Sequence, residues 1–230
     1  MNTANVKNRG YFKIEGAARA FNFERPLGRV PFFKNKVVLD IGSSTGGFTQ
    51  YALDHGAQKV IAVEKGTNQM KSPLRNHPKV ELHEKTDIFD TRIRERFIED
   101  HLATTGARRA SDARNDGPAR SASEINLSLV PDVVLADVSF ISLTKILKYA
   151  RDNLVGKNTE FLVMLKPQFE AAEKDLNNGI VKNETIRRNI IKNFEQWLKT
   201  NGFIIVNKKD NDLQGKHGNT ERFYYLHLAK

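Results

Sequence analysis

The chain has 230 residues, 37 Lys and Arg against 27 Asp and Glu, a net charge of +10 and no cysteine. Its length suits one large domain and its 39% hydrophobic and 28% charged content suits a globular chain, while the lack of cysteine excludes disulfides, thiolate metal sites, iron–sulfur clusters and cysteine nucleophiles. No run approaches the roughly 20 apolar residues of a membrane span, and the N-terminus MNTANVKNRG has no secretory apolar region, so a soluble cytoplasmic protein is expected.

Residues 1–35 are a basic N-terminal segment, seven Lys and Arg against Glu15 and Glu24, expected to pack on a catalytic domain spanning 36–230. A field concentrated at one end attracts polyanions, because neutralised phosphates release counterions. Lys36–Ile41 (KVVLDI) then reads as a strand buried on both faces, Gly46–His55 as a helix and Lys59–Val63 as a second strand. A short helix at Gln69–Arg75 leads to a third strand, Lys79–His83, and apolar spacing from Ile88 to Leu102 predicts another helix. Thr104–Ser123 has no aromatic or β-branched aliphatic residue, too little apolar surface to offset ordering, and reads as a flexible insertion at about 104–124. A fourth strand is expected at Asp132–Ala136, a helix at Ile141–Asn153 and a fifth strand at Glu160–Leu165. Asn183 is placed to cap a helix that runs to Thr200 and stops at Asn201-Gly202. Phe203–Val206 and Arg222–His227, with no helix between them, should pair as an antiparallel hairpin. Strands alternating with helices predict an α/β fold, a Rossmann-like, mostly parallel open sheet with that hairpin at its C-terminus.

Ligands of open α/β sheets bind beyond the carboxyl ends of the strands. The first such turn is DIGSSTGGFT, residues 40–49. Position 44 is Ser where a dinucleotide fingerprint needs Gly, and no Lys follows Gly47 as a P-loop requires. Asp40 would repel a pyrophosphate and welcome a cationic amino-acid moiety, which favours S-adenosylmethionine over NAD or ATP. The predicted cofactor contacts are Asp40, Gly42, Ser43, Ser44, Thr45, Gly46, Gly47 and Phe48 in the loop. Glu64 at the end of the second strand is placed to accept from the ribose hydroxyls, Asp87 after the third strand to meet the adenine amino group, and Lys65, Ile88 and Asp137 complete the predicted set. No metal is expected, since the histidines lack ligand spacing.

Asp137 ends the fourth strand and Lys166 the fifth. A lysine ending an apolar strand needs a carboxylate partner or a depressed pKa, and Asp137 is the obvious partner.

DIGSSTGGFT, DVSFISL, LKPQFE, Gly179-Ile-Val and Gly218-Asn-Thr-Glu221 occur in that order. The set resembles the TlyA (hemolysin-A-like) ribosomal RNA 2′-O-methyltransferases within the FtsJ-like group, from about Arg9 to Leu226. The resemblance implies the class I S-adenosylmethionine-dependent methyltransferase fold, a ribosomal RNA substrate and a catalytic Lys–Asp–Lys–Glu tetrad. The tetrad falls on Lys13, Asp137, Lys166 and Glu221; composition would file Lys13 and Glu221 as surface charges. Family members usually carry an S4-type RNA-binding domain ahead of the catalytic part, and there is no room for one before Lys13, so the chain is expected to be either an excised catalytic domain or a shorter relative, with the basic N-terminal segment supplying part of the RNA grip. Two rival readings are a base-nitrogen methyltransferase, against which Asp137-Val-Ser-Phe140 lacks the prolines of the usual turn, and a non-catalytic RNA-binding module. The hemolysin name suggests membrane activity, but no segment has a large apolar face.

Overall fold

The computed structural model of the chain describes residues 7–24, 30–93, 125–181, 183–213, 215 and 218–229. Helix α1 (Arg9–Ala20) leads into β1 (Val37–Ile41), α2 (Gly47–Asp54), β2 (Lys59–Val63) and β3 (Val80–His83). Short strands β4 (Thr91–Ile93) and β5 (Ile125–Leu127) pair with each other, apart from the main sheet. Strand β6 (Val133–Ala136), α3 (Leu143–Asn153), β7 (Glu160–Leu165), α4 (Glu184–Thr200), β8 (Phe203–Asp210) and β9 (Arg222–Leu228) complete the described fold. The main sheet runs β3-β2-β1-β6-β7-β9-β8. β3, β2, β1, β6 and β7 are parallel, and β9 joins antiparallel between β7 and β8.

Strand residues alternate between two layers, so the continuous apolar runs serve two cores. Val37, Leu39 and Ile41 pack with α3 and α4, while Val38 packs with α1 and α2 through Tyr11, Ile14, Ala17, Phe48 and Tyr51. Each fully buried aliphatic side chain of this kind contributes about 1.5–3 kcal/mol. Three side-chain caps set the helix starts. Asn8 accepts from the Tyr11 N–H, Ser142 from Thr144, and Asn183 from Thr185 and Ile186, each satisfying an N–H that the helix leaves open.

Some elements differ from expectation. Over its described part, residues 88–93, the helix expected at Ile88–Leu102 gives way to a 3₁₀ turn (Ile88–Asp90) followed by β4; Thr91 and Ile93 are buried in strand pairing with β5, so tertiary contact overrides the helical spacing there. Residues 94–102, the insertion at 104–124 and residues 1–6 and 25–29 of the basic N-terminal segment lie outside the described residues. The helix at Gln69–Arg75 is reduced to a turn, Leu74–Asn76, because Pro73 resists helical extension before it. β8 extends to Asp210 across an irregularity between Ile205 and Asn207, gaining pairs with β9 that the polar sequence Asn207-Lys208-Lys209 conceals. Among the described residues no helix is long and apolar enough to cross a membrane.

Candidate active site

The site lies at the carboxyl ends of β1, β2, β6 and β7, where four turns converge. After β1 the chain turns sharply at Gly42, whose φ is +78°. A Cβ there would sit 3.0 Å from the Asp137 carbonyl oxygen, so glycine lets the β1 and β6 turns meet. Glu64 ties the second turn to the first: its carboxylate accepts from the Ser44 N–H at 2.8 Å and the Gly66 N–H at 2.6 Å. Gln69 bridges the same two groups, donating to Glu64 and bonding to the Ser44 hydroxyl. Asp87, after β3, accepts from Lys65 at 2.8 Å and from the Phe89 N–H. Burial opposes its ionisation, but these hydrogen bonds prevail and hold it below the usual carboxylate range. Ile88 beside it is buried.

Two polar groups in the first turn are not fully satisfied. Asp40 is 1% exposed; its Oδ2 accepts from the Thr49 hydroxyl at 2.6 Å, while Oδ1 has no hydrogen-bond partner among the described residues. The buried Ser43 hydroxyl also lacks one. A buried polar atom left unpaired costs about 1–3 kcal/mol, so the turn is completed by a ligand offering hydrogen-bond donors, preferably a cation. Burial pushes the Asp40 carboxyl up to about 7, against the Thr49 hydrogen bond and with the charges of Asp137 and Glu64 adding to the rise. That donor set fits the amino-acid moiety of S-adenosylmethionine and does not fit a pyrophosphate.

The four tetrad candidates form two ion pairs at the adjoining strand ends. Lys166 Nζ lies 2.6 Å from Asp137 Oδ1 and donates to the Ser139 hydroxyl at 2.9 Å. Lys13, from α1, lies 2.6 Å from Glu221, and both side chains are buried. Since Leu165 pairs with Arg222 across β7 and β9, Lys166 and Glu221 occupy the next register step. The two pairs therefore share one rim of the sheet.

Sequence reasoning missed the residues that hold this rim together. Asn219 is buried; its Oδ1 accepts from the Val181 N–H at 3.1 Å and its amide donates to the Gly179 carbonyl at 3.0 Å. It thus joins the Gly-Ile-Val and Gly-Asn-Thr-Glu motifs, two residues before Glu221. Glu170 bridges the β6 and β7 turns, accepting from the Ser142 hydroxyl and the Leu143 N–H, both at 2.6 Å. Asn8 donates to the Thr45 hydroxyl at 3.0 Å, fastening α1 to the first turn. Asn219 and Glu170 stood within quoted motifs, which was their only signal. Phe140 is 92% exposed in left-handed backbone, φ +63°, with its ring 5.2 Å from that of Phe169.

The chain is 33% identical over 194 residues to the 23S rRNA (cytidine-2′-O)-methyltransferase TlyA of Campylobacter jejuni, covering 84% of this chain and 62% of that protein. It is 35% identical over 197 residues to hemolysin A of Brachyspira hyodysenteriae, covering 85% and 68%. The chain thus spans about two thirds of the length of these relatives. A solved structure from Streptococcus thermophilus, assigned as a hemolysin, superposes with a TM-score of 0.75 at 28% identity, over all of this chain and 69% of that one. The FtsJ-like methyltransferase model matches residues 6–228, and with the sheet order and strand-end turns described above the chain belongs to the FtsJ-like methyltransferase family, on the class I methyltransferase fold.

Proposed function

We propose that the protein transfers a methyl group from S-adenosylmethionine to a ribose 2′-hydroxyl of ribosomal RNA, in the cytoplasm. The carrying observation is the Lys166–Asp137 pair, set at neighbouring strand ends beside a turn whose buried Asp40 and Ser43 lack partners. The relative from Campylobacter jejuni is named for this reaction on cytidine of 23S rRNA, which supports the same substrate class here.

Asp40 and the turn through Phe48 would hold the amino-acid moiety, Glu64 the ribose, and Asp87 with Ile88 the adenine. Bound there, S-adenosylmethionine supplies a methyl group already activated by its sulfonium charge. A ribose hydroxyl is a poor nucleophile at neutral pH, so the chain must align it and manage its proton. Lys166 Nζ is ion-paired with Asp137 and donates one hydrogen bond, to Ser139, which leaves hydrogen-bonding capacity on the amine for the ribose oxygen. It either receives the hydroxyl proton or, as the ammonium, donates to the oxygen as negative charge develops. Asp137 orients Lys166, and the buried Lys13–Glu221 pair holds the adjacent wall of the site.

Lys166→Ala is expected to lower methyl transfer by at least 10²–10⁴-fold, the usual contribution of a positioned acid–base group, with S-adenosylmethionine affinity changed little. The assay incubates labelled S-adenosylmethionine with ribosomal RNA or ribosomal subunits and maps the product. A ribose methyl blocks alkaline cleavage at one bond. Label on a base, or full turnover by Lys166→Ala, would overturn the assignment.

A further inference from the structure

α4 and β8 flank an open groove of about 870 Å³ that runs away from the tetrad rim. Its near end adjoins Glu221. Arg187 donates to the Thr220 carbonyl and, with Arg222, to Asp210 at 2.8 and 2.5 Å. Its far end is reached at Lys199 and Phe203, and the 17 residues of α4 give it a length of about 25 Å at 1.5 Å per residue.

Six basic and two acidic side chains line the groove. Glu195 is consumed internally, accepting from Lys208 at 2.7 Å and the Tyr224 hydroxyl at 3.0 Å. Arg188, Lys192 and Lys199 follow one another at intervals of four and seven residues, hence along one helix face. All three are exposed, and no ion pair or hydrogen bond engages them among the described residues. Two carboxylates share this face, four residues before Arg188 and three after Lys192, and both are engaged: Glu184 lies 4.0 Å from Arg187 and Glu195 is held by Lys208. Among the described residues, the lining charges left without an ion pair are the three cations, on a groove whose end is the catalytic rim.

We propose that this groove is a track for the phosphate backbone of RNA flanking the target nucleotide, with Arg188, Lys192 and Lys199 as its phosphate contacts. The inference rests on RNA being the substrate. The alternative occupant, an acidic protein surface, becomes an outcome of the test.

The test compares the intact protein with a triple and a double variant, the losses being read per charge removed. Arg188→Ala/Lys192→Ala/Lys199→Ala empties the track. Lys34→Ala/Lys79→Ala removes two exposed charges near the amino ends of β1 and β3, in the half of the sheet away from α4 and β8. Binding of a labelled single-stranded oligoribonucleotide and of 23S ribosomal RNA is measured across a salt series. Each single-strand phosphate contact contributes about 0.7 to the slope of log K against log salt. The track variant should therefore lose about 2 from that slope and on the order of tenfold in affinity near 0.15 M salt, and the distal variant clearly less. Equal losses in both variants would mean a diffuse field and overturn the track. No loss in the track variant would also overturn it, whether the groove is idle or serves a protein. If the native chain shows the groove-dependent slope yet transfers no labelled methyl to ribosomal RNA, the proposed function fails while the track stands.

Discussion

Asp40 shows how burial converts a common residue into a site. Its carboxyl, pushed up to about 7 by burial, must be ionised to receive a cationic ligand well. The unbound protein should feel the opposite slope. A carboxyl whose folded pKa exceeds its unfolded value of about 4 keeps its proton longer in the native state, so its contribution to stability falls as pH rises from about 4 to about 7. Affinity for S-adenosylmethionine should then weaken below pH 7 by up to about tenfold per unit, one linked proton. Calorimetric titration across pH 5.5–8 checks this: Asp40→Asn should bind weakly with a flat profile, and an unaltered slope would remove Asp40 from the cofactor site. Asp40 was legible because it leads a glycine-rich turn. The unpartnered oxygen was not, since it depends on which distant groups fail to reach it.

The join between α1 and α2 shows why Lys13 could be placed only by resemblance. α1 rests on α2 at Gly47, where an added Cβ would lie 2.3 Å from Asn8 Oδ1, 2.7 Å from the Tyr11 nitrogen and 2.8 Å from Gly10 Cα. Two of those atoms are backbone, so they cannot rotate aside. Gly47→Ala should push α1 outward, destabilising the fold by about 1–3 kcal/mol as overpacking does, and should weaken the Lys13–Glu221 pair one turn further along the helix. Thermal melts would record the first effect and a fall in kcat at saturating S-adenosylmethionine the second; a native melt with native kcat would show that α1 tolerates displacement. The helix expected from Ile88 begins otherwise over residues 88–93 for a related reason. Its spacing was helical, but pairing with a strand more than thirty residues away claimed Thr91–Ile93.

The sheet is the element on which everything else is hung, and its stability should be unevenly distributed. Leu135, in β6 near the middle of the sheet, is fully buried; Leu135→Ala should cost about 2–5 kcal/mol. Ile204, on the edge strand β8, is half exposed, and Ile204→Ala should change stability by no more than about 0.5 kcal/mol. Urea unfolding with an unchanged slope would register both as shifts in midpoint. Comparable shifts would contradict a core centred on β1, β6 and β7. The same architecture carries the site, because parallel strands deliver their carboxyl ends, and the turns that follow them, to one edge.

Apolar runs and their spacing were enough to place nearly every main-sheet strand within a residue or two, because a strand buried on both faces must be apolar throughout. For the same reason Asp137 and Lys166 stood out, each a charge ending such a run. Lys13 and Glu221 carried no such mark: whether a charged residue is buried depends on what docks over it, here α1 and the turn before β9. The hairpin's insertion beside β7, the clamp made by Asn219 and the basic groove between α4 and β8 likewise arise from contacts between segments far apart in the chain. Local composition reports a residue's own cost of leaving water, whereas its partners are set by the path of the whole backbone.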